Sequence, residues 1–266
     1  MSVYWAIAVR SFRRYSTYRI ATASGTFTNT VFGFIFCGVY LTLWGLRPNL
    51  GGYDVSAALT FVWLQQALLA PVGMFGGAGT ATGELGERVR TGAVAVDLYR
   101  PVSLLGWWLA ADLGRAAFQL IARGVLPLVA GALAFNLTFP SAYGLVAFLI
   151  AVVFAILISF SIRYLVALSG FWLSDSRGAE MVLLVVSLFF SGTILPLVVF
   201  PGWLGEFARA TPWAGTLQVP ADIWLGRQPG GVLGGYAFQL AWAGGLLVAG
   251  WWLTRSATRK VVVAGG

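Results

Sequence analysis

Residues 142–172 have the sequence AYGLVAFLIAVVFAILISFSIRYLVALSGFW, an apolar run in which Arg163 is the single charged residue. A helix needs about 20 consecutive apolar residues to cross the hydrocarbon core of a bilayer, so this run is long enough. Because Arg163 stands toward the end of the run, we expect its side chain to extend to the cytoplasmic membrane interface. The stretch predicts a transmembrane helix.

The rest of the sequence is similarly apolar. Of its 266 residues, 59% are hydrophobic and 10% are charged, whereas a soluble domain carries about 25% charged residues. Five more apolar runs cover residues 20–44, 55–78, 104–135, 181–199 and 232–253, of which the second is interrupted by Pro71. The sequence therefore predicts an all-α integral membrane protein with six transmembrane helices, forming one domain over residues 1–266.

The basic residues that flank these runs predict the orientation of the chain, because positive charge collects on the cytoplasmic side of membrane proteins. One side has Arg47, Arg209 and Arg227. The other side has Arg10, Arg13, Arg14, Arg19, Arg88, Arg90, Arg100, Arg177, Arg255, Arg259 and Lys260. This bias places both termini in the cytoplasm. It also explains the net charge of +8 without nucleic acid as a partner.

Three segments outside the runs have helical patterns of their own. Residues 2–19 are basic and aromatic, which favours an amphipathic helix lying in the membrane interface. Residues 84–90 favour a short cytoplasmic helix. The outer segment between the last two runs contains Trp203, Trp213 and Trp224; it is too apolar for a solvated loop and too rich in proline to span. A pair of short helices that re-enter the outer leaflet is predicted there.

Several kinds of chemistry are excluded by residues that the sequence lacks. Lys260 is the single lysine and has no phosphate-binding loop around it, so hydrolysis of ATP by this chain alone is not expected. There is no histidine and one cysteine, Cys37, which argues against a catalytic triad, a metal site and an internal disulfide. We expect no catalytic or metal-binding residue and no self-sufficient enzyme.

Polar residues inside the apolar runs are candidates for a transport pathway, because charge in lipid is costly unless it is paired. Asp112, Arg115, Gln119 and Arg123 are spaced by three, four and four residues, which predicts one shared helix face. Asp112 and Arg115 can pair along the helix, whereas Arg123 must line a hydrated cavity or pair across an interface. Gln65 and Gln66 lie midway through the second run; they either line the pathway or hydrogen-bond between helices.

Three stretches carry a resemblance to a known family. They are ERVRTGAVAVDLYRPVSLLGWWLA at 87–110, FWLSDSRGAE at 171–180, and LFFSGTILPLVVFPGWLGEFARATPW at 188–213. The third is the most specific, since it combines a Ser-Gly pair, a proline and an FPxWL turn. With these stretches and the six-run layout, which extends over nearly the whole chain, the sequence resembles the membrane subunit of bacterial ABC-2 type exporters.

The resemblance implies that separate ATPase subunits bind ATP and Mg, that this chain binds no cofactor, and that a second permease, like or unlike this one, completes the pathway. It implies a coupling helix bearing Glu84, Glu87, Arg88 and Arg90, a connecting helix at the N-terminus, and an outer gate formed by Phe200, Pro201, Trp203 and Leu204. The membrane would be the bacterial cytoplasmic (inner) membrane, and the exported cargo would be drug-like, peptide or lipid-like.

Two other classes of protein remain as alternatives. A secondary carrier or channel would work without an ATPase, but a carrier ordinarily uses buried carboxylates, and Asp112 is the one candidate. A lipid-handling membrane enzyme would need an interfacial cluster of acidic or histidine residues, which the sequence lacks. Copurification of an ATPase would separate the exporter from both.

Overall fold

The computed structural model describes residues 2–173 and 175–264; the side chains of residues 78 and 260–264 lie outside this description, and so does the predicted placement of Lys260. The described residues form helices, turns and loops. The first six helices are α1 (Val3–Ser16), α2 (Arg19–Leu46), α3 (Val55–Leu68), α4 (Ala81–Arg90), α5 (Val94–Leu98) and α6 (Leu104–Gln119). The others are α7 (Val125–Ala134), α8 (Ala142–Leu173), α9 (Arg177–Phe190), α10 (Gly202–Ala210), α11 (Gln218–Trp224) and α12 (Gly231–Ala264).

Four helical segments are long and apolar enough to cross a membrane: Arg19–Leu46, Leu104–Ala134, Ala142–Leu173 and Gly231–Arg259. The second of them consists of α6 and α7 joined by a π-helical turn, Leu120–Gly124. These four correspond to the first, third, fourth and sixth predicted runs. The second and fifth runs form shorter helices than predicted, so the described residues contain four candidate spans and do not confirm the predicted arrangement of six.

Helix α3 ends ten residues before the predicted end of its run. Asp54 caps its N-terminus by accepting a hydrogen bond from the backbone N–H of Ala57 at 2.7 Å. The helix stops at Leu68 and the chain continues in turns around Pro71. At 1.5 Å per residue, its 14 residues extend about 21 Å, which is shorter than the roughly 30 Å hydrocarbon core.

Helix α9 also stops early, at Phe190 rather than Val199. The chain turns at Gly192, whose φ of +89° belongs to the region that glycine adopts readily. The turn is held by α3, because the side-chain amide of Gln65 donates to the carbonyl of Gly192 at 2.8 Å and to that of Thr193. Helix α9 therefore ends at the depth of Gln65, well inside the helical bundle.

Helix α8 is the central element and defines two ends of the molecule. Near its beginning, the Phe148 ring meets the Trp224 ring of α11 edge to face, with centroids 4.9 Å apart. Toward its end it packs against α4, where Phe160 and Tyr164 share a buried cluster with Leu85. We call these the α11 end and the α4 end.

The predicted interfacial helix is present as α1 and lies along α6. The two backbones approach so closely at Gly114 that a β-carbon there would be 2.0 Å from the carbonyl oxygen of Ala8. The Ser11 hydroxyl donates to the carbonyl of Ala111 at 2.6 Å, and Phe12 packs edge to face on Phe118. These contacts fix α1 to α6 along its length. The surface of α1 is also basic.

Candidate coupling site

Helix α4 contains the predicted coupling segment and begins three residues before it. Its N-cap is Thr80, whose hydroxyl accepts from the backbone N–H of Gly83 at 3.1 Å. One face, which includes Leu85, is buried against α6 and α8. The opposite face carries Glu87 and Arg90, which are exposed and paired with each other. The hydrogen bond from Arg90 lowers the pKa of Glu87, so this pair stays charged near neutral pH.

The other two predicted docking residues are bound within the chain. The Arg88 guanidinium donates to both carboxylate oxygens of Asp97, at 2.6 and 2.8 Å. Glu84 accepts from Arg14 of α1 at 2.8 Å. Of the four residues that the resemblance places on the coupling helix, Glu84 faces α1 and Arg88 faces α5, whereas Glu87 and Arg90 pair with each other on the exposed face.

Behind α4 lie three buried charged residues: Asp112 and Arg115 of α6, and Arg163 of α8. We call them the buried arginine cluster. Asp112 is 0% exposed and Arg115 is 1% exposed. One oxygen of Asp112 accepts from Arg115 Nε at 2.8 Å and the other from Arg163 Nη2 at 2.8 Å. The predicted pairing of Asp112 with Arg115 is confirmed, and one carboxylate serves two guanidinium groups.

The prediction that Arg163 extends to the interface is wrong. Its Nη1 donates to the Thr82 hydroxyl in the first turn of α4 at 2.8 Å, because the Asp112 carboxylate holds the guanidinium inside the bundle. Arg115 in turn donates to the carbonyls of Ala70 and Pro71 at 2.8 Å each. Both carbonyls belong to the turns after α3, and that of Ala70 also accepts from the backbone N–H of Gly73 at 3.1 Å.

These bonds connect the surface helix α4 to three membrane helices at once. Arg163 joins α4 to α8, Asp112 joins α8 to α6, and Arg115 joins α6 to the turn after α3. Two positive charges on one carboxylate leave the cluster with a net charge of +1 in a dry environment, where removing a partner is costly. A displacement of α4 must therefore either break these bonds or move the three helices with it.

The four polar residues of the third run do not share one environment, which corrects that part of the prediction. The π-helical turn Leu120–Gly124 has more residues per turn than an α-helix, which changes the direction of the side chains within and after it. Arg123 consequently packs at Gly25 of α2, and its Nη2 is 3.4 Å from Asn29 Oδ1. Gln119 is half-buried, and its side-chain oxygen has no partner among the described residues.

Gln65 and Gln66 are both buried. Gln65 makes the interhelical bonds to the turn after α9, which was one of its two predicted roles. The backbone carbonyl of Gln66 accepts from the Asn29 amide at 3.1 Å, while its own side-chain oxygen has no partner in the described part of the chain.

At the α11 end, two short helices, α10 and α11, occupy the segment where short helices were predicted. Of the predicted outer gate, Phe200 and Leu204 are half-buried, Pro201 is exposed, and Trp203 is 77% exposed. These four residues lie at or just before the start of α10, on the surface of the single chain.

The α11 end also contains a buried polar network, which was not predicted. The carboxylate of Asp222 accepts from the Tyr53 hydroxyl and from the Gln218 amide, the latter at 3.0 Å. Gln218 also accepts from the backbone N–H of Leu197 at 2.8 Å. The network joins the loop after α2, the turn after α9 and α11. The signal available in the sequence was an acidic residue, Asp222, two positions after Pro220 in an apolar segment.

A family model described as ABC-2 family transporter protein matches residues 15–261. That range contains α2 to α11 entirely, together with the buried arginine cluster and nearly all of α12. No curated protein matches the chain. Proteins of this family are membrane subunits of ABC transporters and generally work with ABC ATPases. The chain therefore belongs to the ABC-2 family transporter proteins, the transmembrane permeases of ABC transporters.

Proposed function

We propose that the chain is the permease subunit of an ATP-driven exporter in the bacterial cytoplasmic membrane. Separate ATPase subunits bind ATP and Mg on the cytoplasmic side, where the α4 end lies, and both termini are on that side. With a second permease the chain forms the pathway for a drug-like, peptide or lipid-like cargo. The observation that carries the proposal is the attachment of α4 to α3, α6 and α8 through the buried arginine cluster.

Docking on α4 follows from its two faces. The exposed pair Glu87 and Arg90 offers both charge signs to a partner, and Glu84 and Arg88 keep α4 oriented toward α1 and α5. Force applied to the exposed face passes to Thr82 and from there to Arg163 and Asp112. ATP-driven movement of the ATPase subunits would in this way tilt the membrane helices that surround the break after α3.

The second permease has a natural contact surface on α9. This helix contacts α8 and the turn at Pro212–Gly215, and it leaves an exposed apolar stripe of Met181, Val182, Val185 and Phe189. Helix α9 is too short to cross the hydrocarbon core, and the turn that ends it is already buried within the chain, so the exposed stripe itself is the surface that we assign to the second permease. If the α9 stripes of two permeases pack against each other, the outer gate residues of both would lie near the axis between the two subunits.

The proposal is tested by purifying the full chain from its native membrane and measuring the copurifying ATPase. Glu87→Arg reverses a charge on the exposed face of α4, and we expect it to lower retained ATPase about tenfold, equivalent to about 1.4 kcal/mol. Glu206→Arg is the matched control, since Glu206 is an exposed glutamate of α10 at the other end. Equal retention by both variants would contradict docking on α4.

The same preparation tests the alternative of a secondary carrier or channel. If no ATPase copurifies with the unaltered chain, and transport persists when Glu87 and Arg90 are exchanged, the ATP-driven proposal is wrong. The buried carboxylates that a carrier could use are then Asp222 and Asp112, of which Asp112 is already bound by two arginines.

A further inference from the structure

A large cavity lies at the α4 end between α1, α4 and α6. Its volume is about 690 Å³, within the 300–1,000 Å³ range of small-molecule sites. One part of its wall is charged and is formed by Arg10 and Arg14 of α1, by Glu84 and Arg88 of α4, and by Asp97 of α5 with Arg100 just after that helix. Another part is apolar and includes Val3, Ile7 and Trp107. The cavity is thus amphipathic.

The charges in this wall do not balance. The Asp97 carboxylate is shared by Arg88 and by Arg100, whose Nη1 is 3.0 Å from it. Glu84 is paired with Arg14. Arg10 is exposed and has no ion-pair partner among the described residues. Four arginines against two carboxylates leave a net charge of +2, and this surplus is what an anionic ligand would neutralise.

The apolar part of the cavity wall restricts the kind of anion that can bind there. Arg100 lies 4.1 Å above the ring of Trp107, so the cation and the indole form one continuous surface. Trp107 is in the first turn of the segment Leu104–Ala134, where that segment enters its apolar stretch. Indole rings at this position occupy the headgroup level of a bilayer. A ligand that suits both walls has a negatively charged head and an apolar body.

We propose that this cavity binds the phosphate headgroup of an acidic phospholipid from the adjoining leaflet. Arg10 and Arg100 receive the phosphate, and the surface of Ile7 and Trp107 lies along the glycerol and the first part of the acyl chains. Basic pockets beside membrane helices on the cytoplasmic side are suited to such headgroups. The lipid would bridge α1 and the start of α6, next to the pairs Arg14–Glu84 and Arg88–Asp97 that attach α4, and so would adjust how firmly the coupling helix is held.

The proposal is tested on the purified full chain in nanodiscs containing equal amounts of phosphatidylglycerol and phosphatidylcholine. After mild delipidation, the lipid that remains is counted by native mass spectrometry. We expect the unaltered chain to retain phosphatidylglycerol at least fivefold over phosphatidylcholine, and Arg10→Gln and Arg100→Gln each to reduce that preference several-fold. Arg13→Gln is the matched control, because Arg13 is exposed on the same helix but lies outside this cavity.

Two results would overturn the site. One is equal retention of the two lipids by the unaltered chain, and the other is an equal effect of Arg13→Gln and Arg10→Gln, which would indicate general attraction to a charged membrane. In a third arm, loss of phosphatidylglycerol on adding millimolar inorganic phosphate would show a free-anion site instead of a lipid site. All arms use the chain without an ATPase, so their outcome is independent of the proposed transport function.

Discussion

At the scale of single residues, Asp112 is the group on which the α4 end depends. It holds two guanidinium groups, of which one also bonds the break after α3 and the other the first turn of α4. Buried ion pairs add little net stability over apolar packing, but they strongly favour one arrangement when removal of a partner leaves a charge in a dry site. Asp112 thus specifies the position of α4 more than it stabilises the fold.

We expect Asp112→Asn to destabilise the protein by about 3–5 kcal/mol, because Arg115 and Arg163 would remain buried side by side without a counter-charge. Arg163→Met should cost less, since it leaves a balanced pair of Asp112 and Arg115 and removes one bond to α4. The thermal unfolding midpoint in detergent measures both effects. Equal midpoints for the two variants would mean that charge balance in the cluster does not matter.

Asp175→Asn is the control for these variants, because Asp175 belongs to an exposed ion pair near the α4 end. Arg177 bonds the carboxylate of Asp175 and lowers its pKa to about 2, yet both side chains lie in solvent. Exposed pairs of this kind contribute little to stability. We expect no measurable change in the unfolding midpoint.

The residue scale is also where sequence reasoning was least complete. The pairing of Asp112 with Arg115 was predictable because both lie on one helix, three residues apart. The partner Arg163 is on another helix, and the hydrophobic pattern of α8 contains no information on which neighbour its arginine faces. The network of Tyr53, Gln218 and Asp222 was missed for the same reason: it joins three segments whose contacts only the folded chain defines.

At the scale of elements, the apolar runs predicted where helices form but not where two of them stop. Proline and glycine in run two indicated an interruption, and the structure places it after Leu68. In run five the Ser-Gly pair is embedded in apolar residues, so composition alone favoured a continuous span. What ends α9 is a tertiary contact, the bond from Gln65 to the turn at Gly192, which periodicity does not reveal.

The attachment of α1 to α6 gives a prediction at this scale. Gly114→Ala introduces a β-carbon 2.0 Å from the backbone oxygen of Ala8, so α1 must move away. We expect a lower unfolding midpoint and faster proteolysis within α1. Gly245→Ala in α12 is the control, because no atom lies within 4 Å of the added carbon and alanine favours the helix by about 1 kcal/mol. Slow proteolysis of α1 in both variants would contradict the close packing.

At the scale of the whole molecule, the four long segments and the two shorter helices, α3 and α9, form one bundle. Polar contacts concentrate at its two ends, around the buried arginine cluster and around Asp222, while α9 leaves an apolar stripe uncovered at one side. The proposed second permease would cover this stripe. The composition predicted a membrane protein, but the exposed stripe of α9 became visible only in the folded structure.

The assembly is tested by a photoreactive benzoylphenylalanine placed at Val185, in the middle of the α9 stripe. Irradiation in native membranes should give an adduct larger than the chain by the mass of one permease, whether the second permease is identical or different. The same group at Leu133, which is 85% exposed on the segment Leu104–Ala134, is the control and should react mainly with lipid. A permease-sized adduct from both positions, or from Leu133 alone, would place the contact elsewhere. An adduct from Val185 alone assigns α9 to the interface, because a reactive carbonyl in the middle of that stripe reaches only what covers it.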